Sequence, residues 1–153
     1  MSIYNSYQIS GSGLTAQRTR LDVIANNIAN AETSRGLDGK PYIRKRVIFQ
    51  PIGEEIQFRW FLPPGDPRYR LGIKNSGEGV RILGIEDDRI TPFRKIYDPT
   101  HPDADKDGYV LMPNINIIEE MVNMIDATRA YEANAQALRA AKTMDQRALD
   151  IGR

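Results

Sequence analysis

The stretch with the most obvious chemical potential is Asp103-Ala104-Asp105-Lys106-Asp107-Gly108, with Val110 two residues on. Oxygen ligands at the first, third and fifth positions, then a turn glycine, match the first half of a calcium loop. The second half does not follow. Position twelve is Asn114, which lacks the carboxylate that would hold the ion through two oxygens, and Pro113 stands just before it. Pro99 and Pro102 oppose a flanking helix upstream. The stretch reads first as a hydrophilic turn between strand and helix. A calcium-binding module built on Asp103 to Asp107 is the alternative from a different functional class.

Catalytic chemistry has little else to use. His101 is the only histidine and cysteine is absent, which excludes a Cys–His pair, disulfides and thiolate metal sites. The lack of cysteine does not decide the compartment. A Ser–His–Asp set would need His101, which sits between Thr100 and Pro102 with no nucleophile-elbow sequence in the chain. Glu54 and Glu55 are adjacent, so on a strand they point to opposite faces and do not flank one bond. No glycine-rich phosphate loop is present. The expectation is a protein with no enzymatic activity, no cofactor and no bound metal.

Composition narrows the partners. The 153 residues carry a net charge of +1, which gives no electrostatic case for nucleic acid. Arg44-Lys45-Arg46 reads as a solvated strand edge that resists unwanted pairing. Residues 35–95 hold thirteen basic and eight acidic side chains, and residues 96–153 hold six and ten. Such complementary halves suit the stacking of like subunits, although a solvated surface explains them equally well. No segment is long and apolar enough to span a bilayer. The N-terminus has no basic start, continuous apolar run or small-residue cleavage site, so no signal peptide is expected.

The elements that would position any site are helices at the two ends. After Pro113, Asn114 or Asn116 can cap a helix, and Asn116-Ile117-Ile118-Glu119 has capping-box spacing. No Gly or Pro follows until Gly152, so the helix is predicted to run to about residue 150, roughly 50 Å at about 1.5 Å per residue. At heptad spacing Ile117, Met121, Met124, Thr128, Tyr131, Ala135, Leu138, Lys142, Asp145 and Leu149 share a face. Ile118, Val122 and Ile125 form a second apolar line, and alanines are spread around the wheel. Either alanine serves here only as a helix former, or the helix packs among several neighbours. The N-terminal face is Ile3, Tyr7, Ser10, Leu14, Gln17, Leu21, Ile24, Ile28 and Ala31, interrupted by Gly11 and Gly13. The two ends are predicted to form an antiparallel, coiled-coil-like pair, marginal alone and ordered fully only when copies pack together.

Between them, residues 42–50, 56–62, 69–73, 80–86 and 93–97 read as short strands separated by Pro, Gly and Asn signals. Trp60 is expected in a core or on a half-buried strand. The fold class is α+β: an N-terminal helix in residues 1–34, a β-rich middle in 35–112 and a C-terminal helix in 113–153.

The run Leu21-Asp-Val-Ile-Ala-Asn-Asn-Ile-Ala-Asn-Ala31 resembles the signature of the flagellar rod and hook axial proteins. Residues 39–50, 79–85 and 97–110 narrow the likeness to the rod, with Asn26, Asn27, Asn30, Tyr97, Pro99, Pro102, Gly108 and Tyr109 as motif positions. It is weak between residues 53 and 76, a possible insertion. The resemblance implies a non-catalytic subunit of the proximal rod, a hollow shaft that transmits torque, with another rod or hook subunit as the alternative within the class. It also implies export through the flagellar type III apparatus without a cleaved signal, and helical assembly in the periplasmic space. Partners would be copies of itself, other rod proteins, the export apparatus and surrounding ring proteins. The implied assembly surface is Ile3, Tyr7, Leu14, Leu21, Ile24 and Ile28 on the first helix. On the second it is Ile117, Met121, Met124, Tyr131, Ala135, Leu138 and Leu149.

Overall fold

A computed structural model describes residues 3–36, 39–52 and 78–151. The element order is α1 (Ile3–Ala29), β1 (Lys45–Pro51), β2 (Val80–Asp87), β3 (Arg94–Tyr97), β4 (Tyr109–Met112) and α2 (Ile117–Ile151). This is the α+β arrangement expected from the sequence, with one long helix at each end. The strands predicted at 56–62 and 69–73, Trp60, and the stretch 53–76 lie outside the described residues, as does the side chain of Ile3.

Helix α2 has 35 residues, about 52 Å at 1.5 Å per residue. Asn116 caps it: its Oδ1 accepts the Ile118 amide at 3.1 Å, and its carbonyl accepts the Glu120 amide at 3.0 Å. Glu119 and Glu120 place negative charge in the first turn, where the helix dipole favours it. Helix α1 ends at Ala29, short of residue 34. The Asn30 side-chain amide turns back to donate to the Asn26 carbonyl at 2.9 Å and to Asn26 Oδ1 at 3.0 Å. An asparagine that satisfies the preceding turn in this way competes with further helix.

Among the described residues the middle holds two antiparallel strand pairs, β1–β2 and β3–β4, each a two-stranded sheet. Strand β1 starts at Lys45, three residues later than predicted, because the approach to it is taken up by contacts to Asn27 and Asn114. Its pairing shifts between Ile48 and Phe49, which leaves Leu83 without a partner as a bulge. Strand β4 corrects the sequence reading: the Asp103–Gly108 turn joins two strands, not a strand and a helix. Tyr97 pairs with Tyr109 and Ile96 with Val110. The two tyrosine rings meet edge to face, 5.3 Å between centroids.

The helices run antiparallel, with Tyr7 opposite Asp145, Gly13 opposite Asn134, Arg20 opposite Asn123 and Asn27 opposite Glu120. The other flank of α1 carries the first strand pair, where the Val80 amide donates to Ser12 Oγ at 3.1 Å. Among the described residues the buried apolar core is Ala16, Val23, Ile24, Val110, Ile115, Ala127 and Ala141. Three of them are alanines, each of which removes little apolar surface from water.

Candidate assembly interface and the polar cluster behind it

The face that α2 turns toward α1 is not the apolar heptad line. The inward line is Glu120, Ala127, Asn134 and Ala141, seven residues apart, with Glu120, Ala127 and Ala141 buried. Met124, Ala135, Leu138 and Asp145 from the expected line lie half-buried along its edge. Ile117, Met121, Tyr131 and Leu149 from the same line are exposed, and so are Ile118 (73%), Val122 and Ile125. On α1, Ile24 is buried inside the chain, while Tyr7, Leu14, Leu21 and Ile28 are half-buried. The result is a bare stripe on the first half of α2: Ile117, Ile118, Met121, Val122 and Ile125. A contiguous apolar stripe of this kind on a helix surface is the mark of a docking face.

Small residues let the helices approach. A Cβ on Gly13 would stand 2.8 Å from Asn134 Oδ1, so the glycine that interrupts the α1 pattern in the sequence is a close-contact point. Near the open end Tyr7 donates to Asp145 Oδ2 at 2.6 Å. That carboxylate bond holds the Tyr7 phenol above its ordinary pKa.

At the other end lies a buried polar cluster that sequence reasoning missed. Asn27, 1% exposed, donates to Glu120 Oε2 at 3.0 Å and to the Lys45 carbonyl at 2.9 Å, and accepts the Lys45 amide at 3.0 Å. Arg44 donates to Glu120 Oε1 through Nε at 2.9 Å and Nη2 at 2.6 Å. The Arg44 amide donates to Asn114 Oδ1 at 2.9 Å, and Asn114 Nδ2 donates to the Asp88 carbonyl at 2.8 Å. The Tyr42 hydroxyl reaches the side chains of Asn26 and Asn27, each at 3.1 Å. Burial pushes its phenol up, and the Asp87 and Glu120 charges add to the shift. Burial also pushes the Asp88 carboxyl up. The Thr91 hydroxyl, the Thr91 and Ile90 amides and the Arg46 charge outweigh it, and the carboxyl settles below its ordinary value.

The cluster joins α1, the entry to β1, the exit of β2, the β4–α2 junction and α2. Asn27 was legible as a motif residue. The sequence offers Arg44 as a solvated strand edge and Asn114 as a helix cap, and the structure instead places both in this cluster. Asp88 and Glu120 gave no signal beyond being polar, although Glu120 begins the seven-residue series that ends at Ala141.

Two carboxylates of the acidic turn are engaged within the chain. Asp103 accepts from Ser34 at 2.8 Å and Arg35 at 3.5 Å, and Asp105 Oδ1 accepts the Lys106 amide at 2.8 Å. Asp98 accepts from the Thr100 hydroxyl and amide. Gly108 turns the chain at φ +78° against the Tyr97 ring. Pro99 lies within this turn against Gly108, and Pro102 borders the groove beneath it. Among the described residues no three carboxylate or imidazole side chains gather into a cluster fit for a metal. No helix among them is long and apolar enough to cross a membrane.

Comparison with known proteins gives the family. Residues 8–35 match the family described as flagella basal body rod protein, and residues 106–151 match the C-terminal region of the flagellar basal body rod FlgEFG proteins. These two segments hold most of α1, strand β4 and α2. The flagellar basal-body rod protein FlgC of Borreliella burgdorferi is 47% identical across 99% of this chain and 98% of its own. The FlgC proteins of Bacillus subtilis and Salmonella typhimurium are 41% and 36% identical, covering 100% and 99% of both chains. The chain belongs to the FlgC family of flagellar basal-body rod proteins.

Proposed function

We propose that this chain is a non-catalytic building block of the proximal rod, polymerising through its terminal helices into a hollow shaft that transmits torque. The observation that carries the assembly mode is the bare stripe Ile117, Ile118, Met121, Val122 and Ile125 on α2. Each such side chain contributes about 1.5–3 kcal/mol when fully buried, and this chain leaves them in water. Neighbours that cover the stripe are copies of the chain and other rod proteins. The half-buried line Tyr7, Leu14, Leu21 and Ile28 on α1 gives a second seam for the same bundle. The subunit reaches its place in the periplasmic rod through the flagellar export apparatus, and ring proteins surround the finished shaft.

The test is incorporation. Met121→Asp with Ile125→Asp puts two charges on the stripe and touches none of the buried helix contacts. Cells carrying this variant are expected to lack rods in purified basal bodies, while the isolated variant keeps its helical circular dichroism. Normal rods built from the variant would refute the assignment.

A further inference from the structure

Helix α2 carries two candidate seams about 60–100° apart around the axis, since each residue of the second stands three before or one after a residue of the first. The one it buries contains Glu120, Ala127, Asn134 and Ala141; the one it leaves half in water contains Ile117, Met121, Met124 and Leu138. By apolar area the second is the better seam for the α1 pair, and burial alone would turn it inward. We infer that the Glu120–Arg44–Asn27 cluster is a rotational selector, which positions α2 so that its apolar stripe stays available to other subunits. This rests on the assembly reading above and names the residues that make it possible.

The selector works by penalising the competing rotation. With Glu120 turned out, the Arg44 guanidinium, 22% exposed, would lose its bonds at 2.6 and 2.9 Å. One proton of the Asn27 amide would lose its acceptor at 3.0 Å, and apolar Met121 or Met124 would cover both groups. A buried donor facing hydrocarbon is costly, whereas a buried ion pair adds little to stability relative to apolar replacements. Such a group decides between arrangements more than it strengthens one of them. Asn134 over Gly13 holds the same rotation farther along.

Although the sequence reading expects full order only on assembly, α1 and α2 already pack on each other within the single chain. With no cysteine present, single thiols report the rotation on the isolated full-length subunit. In the otherwise native chain the thiol of Met121→Cys is expected to react with a maleimide about tenfold faster or more than that of Ala127→Cys. Combining Arg44→Met with Glu120→Leu removes the pair without leaving a buried charge. In that background the order inverts, with thermal stability unchanged or raised, whereas Glu120→Gln keeps the native order. An unchanged order overturns the inference. Two fast thiols overturn it as well, because then the cluster merely supports the fold. These rates are read without assembly, so their failure is distinct from that of the incorporation test.

Discussion

Asn27 and Glu120 are 93 residues apart in the chain and 3.0 Å apart in the fold, Nδ2 to Oε2, with both side chains buried. This contact ties the last turns of α1 to the first turn of α2, and through Arg44 and Lys45 it reaches the first strand pair. Three of the seven described buried apolar residues are alanines, and this polar contact stands beside them in holding the helix pair together.

Arg44→Ala should therefore be among the most damaging single changes. It leaves the Glu120 carboxylate, 2% exposed, without its cation. The expected cost is about 3–5 kcal/mol, read as a shift in the urea midpoint. The paired Arg44→Met/Glu120→Leu change should cost far less. Equal losses would mean that the ion pair itself supplies the stability.

The two glycines of α1 should behave differently. A Cβ on Gly11 meets nothing within 4 Å, so Gly11→Ala should gain helix stability of about 1 kcal/mol. Gly13→Ala must displace Asn134, whose Nδ2 donates to the Ala130 carbonyl at 2.8 Å. It should gain less than Gly11→Ala or lose stability, and Asn134→Ala in the same chain should restore the gain. Thermal melts of the three variants decide this.

Gly108→Ala tests the turn. The left-handed φ of +78° costs a residue with a Cβ about 1–2 kcal/mol. The new methyl would also stand 3.0 Å from Tyr97 Cε2. The expected signature is loss of the Tyr97–Tyr109 edge-to-face contact in ring-current-shifted NMR lines, with α2 retained.

How much of this was legible in the sequence depends on the residue. The length and ends of α2 were, because nothing between Asn116 and Gly152 breaks a helix and Asn116 has cap chemistry. Its rotation was not. Heptad reasoning assumes that the greasiest line faces the partner, and here Glu120 and Asn134 face it. Strand β4 was hidden because four residues beside Pro113 are too few for alternation to register. The close approach at Gly13 looked like a flaw in the pattern, since a glycine shows what it permits only when its neighbour is known. Asn27 stood out by its motif, but its partners Arg44 and Glu120 come from other elements.

Acid should loosen the chain in a defined window. The hydroxyl of Ser34, against opposing burial and with help from Arg35, holds Asp103 below its ordinary carboxylate value, and the Thr100 hydroxyl and amide do the same for Asp98. Asp88 is depressed as well. A depressed folded pKa means that the stabilisation is present above the unfolded value of 3.8 and is lost as pH falls through the lower folded value. Carboxyl NMR titrations should place all three midpoints below 3.8. Ser34→Ala should raise only that of Asp103.

The most direct measurement of the whole account is a reconstruction of the assembled basal body that resolves side chains of this subunit. It should show Ile117, Ile118, Met121, Val122 and Ile125 sealed against helices of neighbouring subunits, with Glu120 still bonded to Arg44 and Asn27 inside the chain. A rod in which that stripe faces water, or packs on α1 of its own chain, would contradict it.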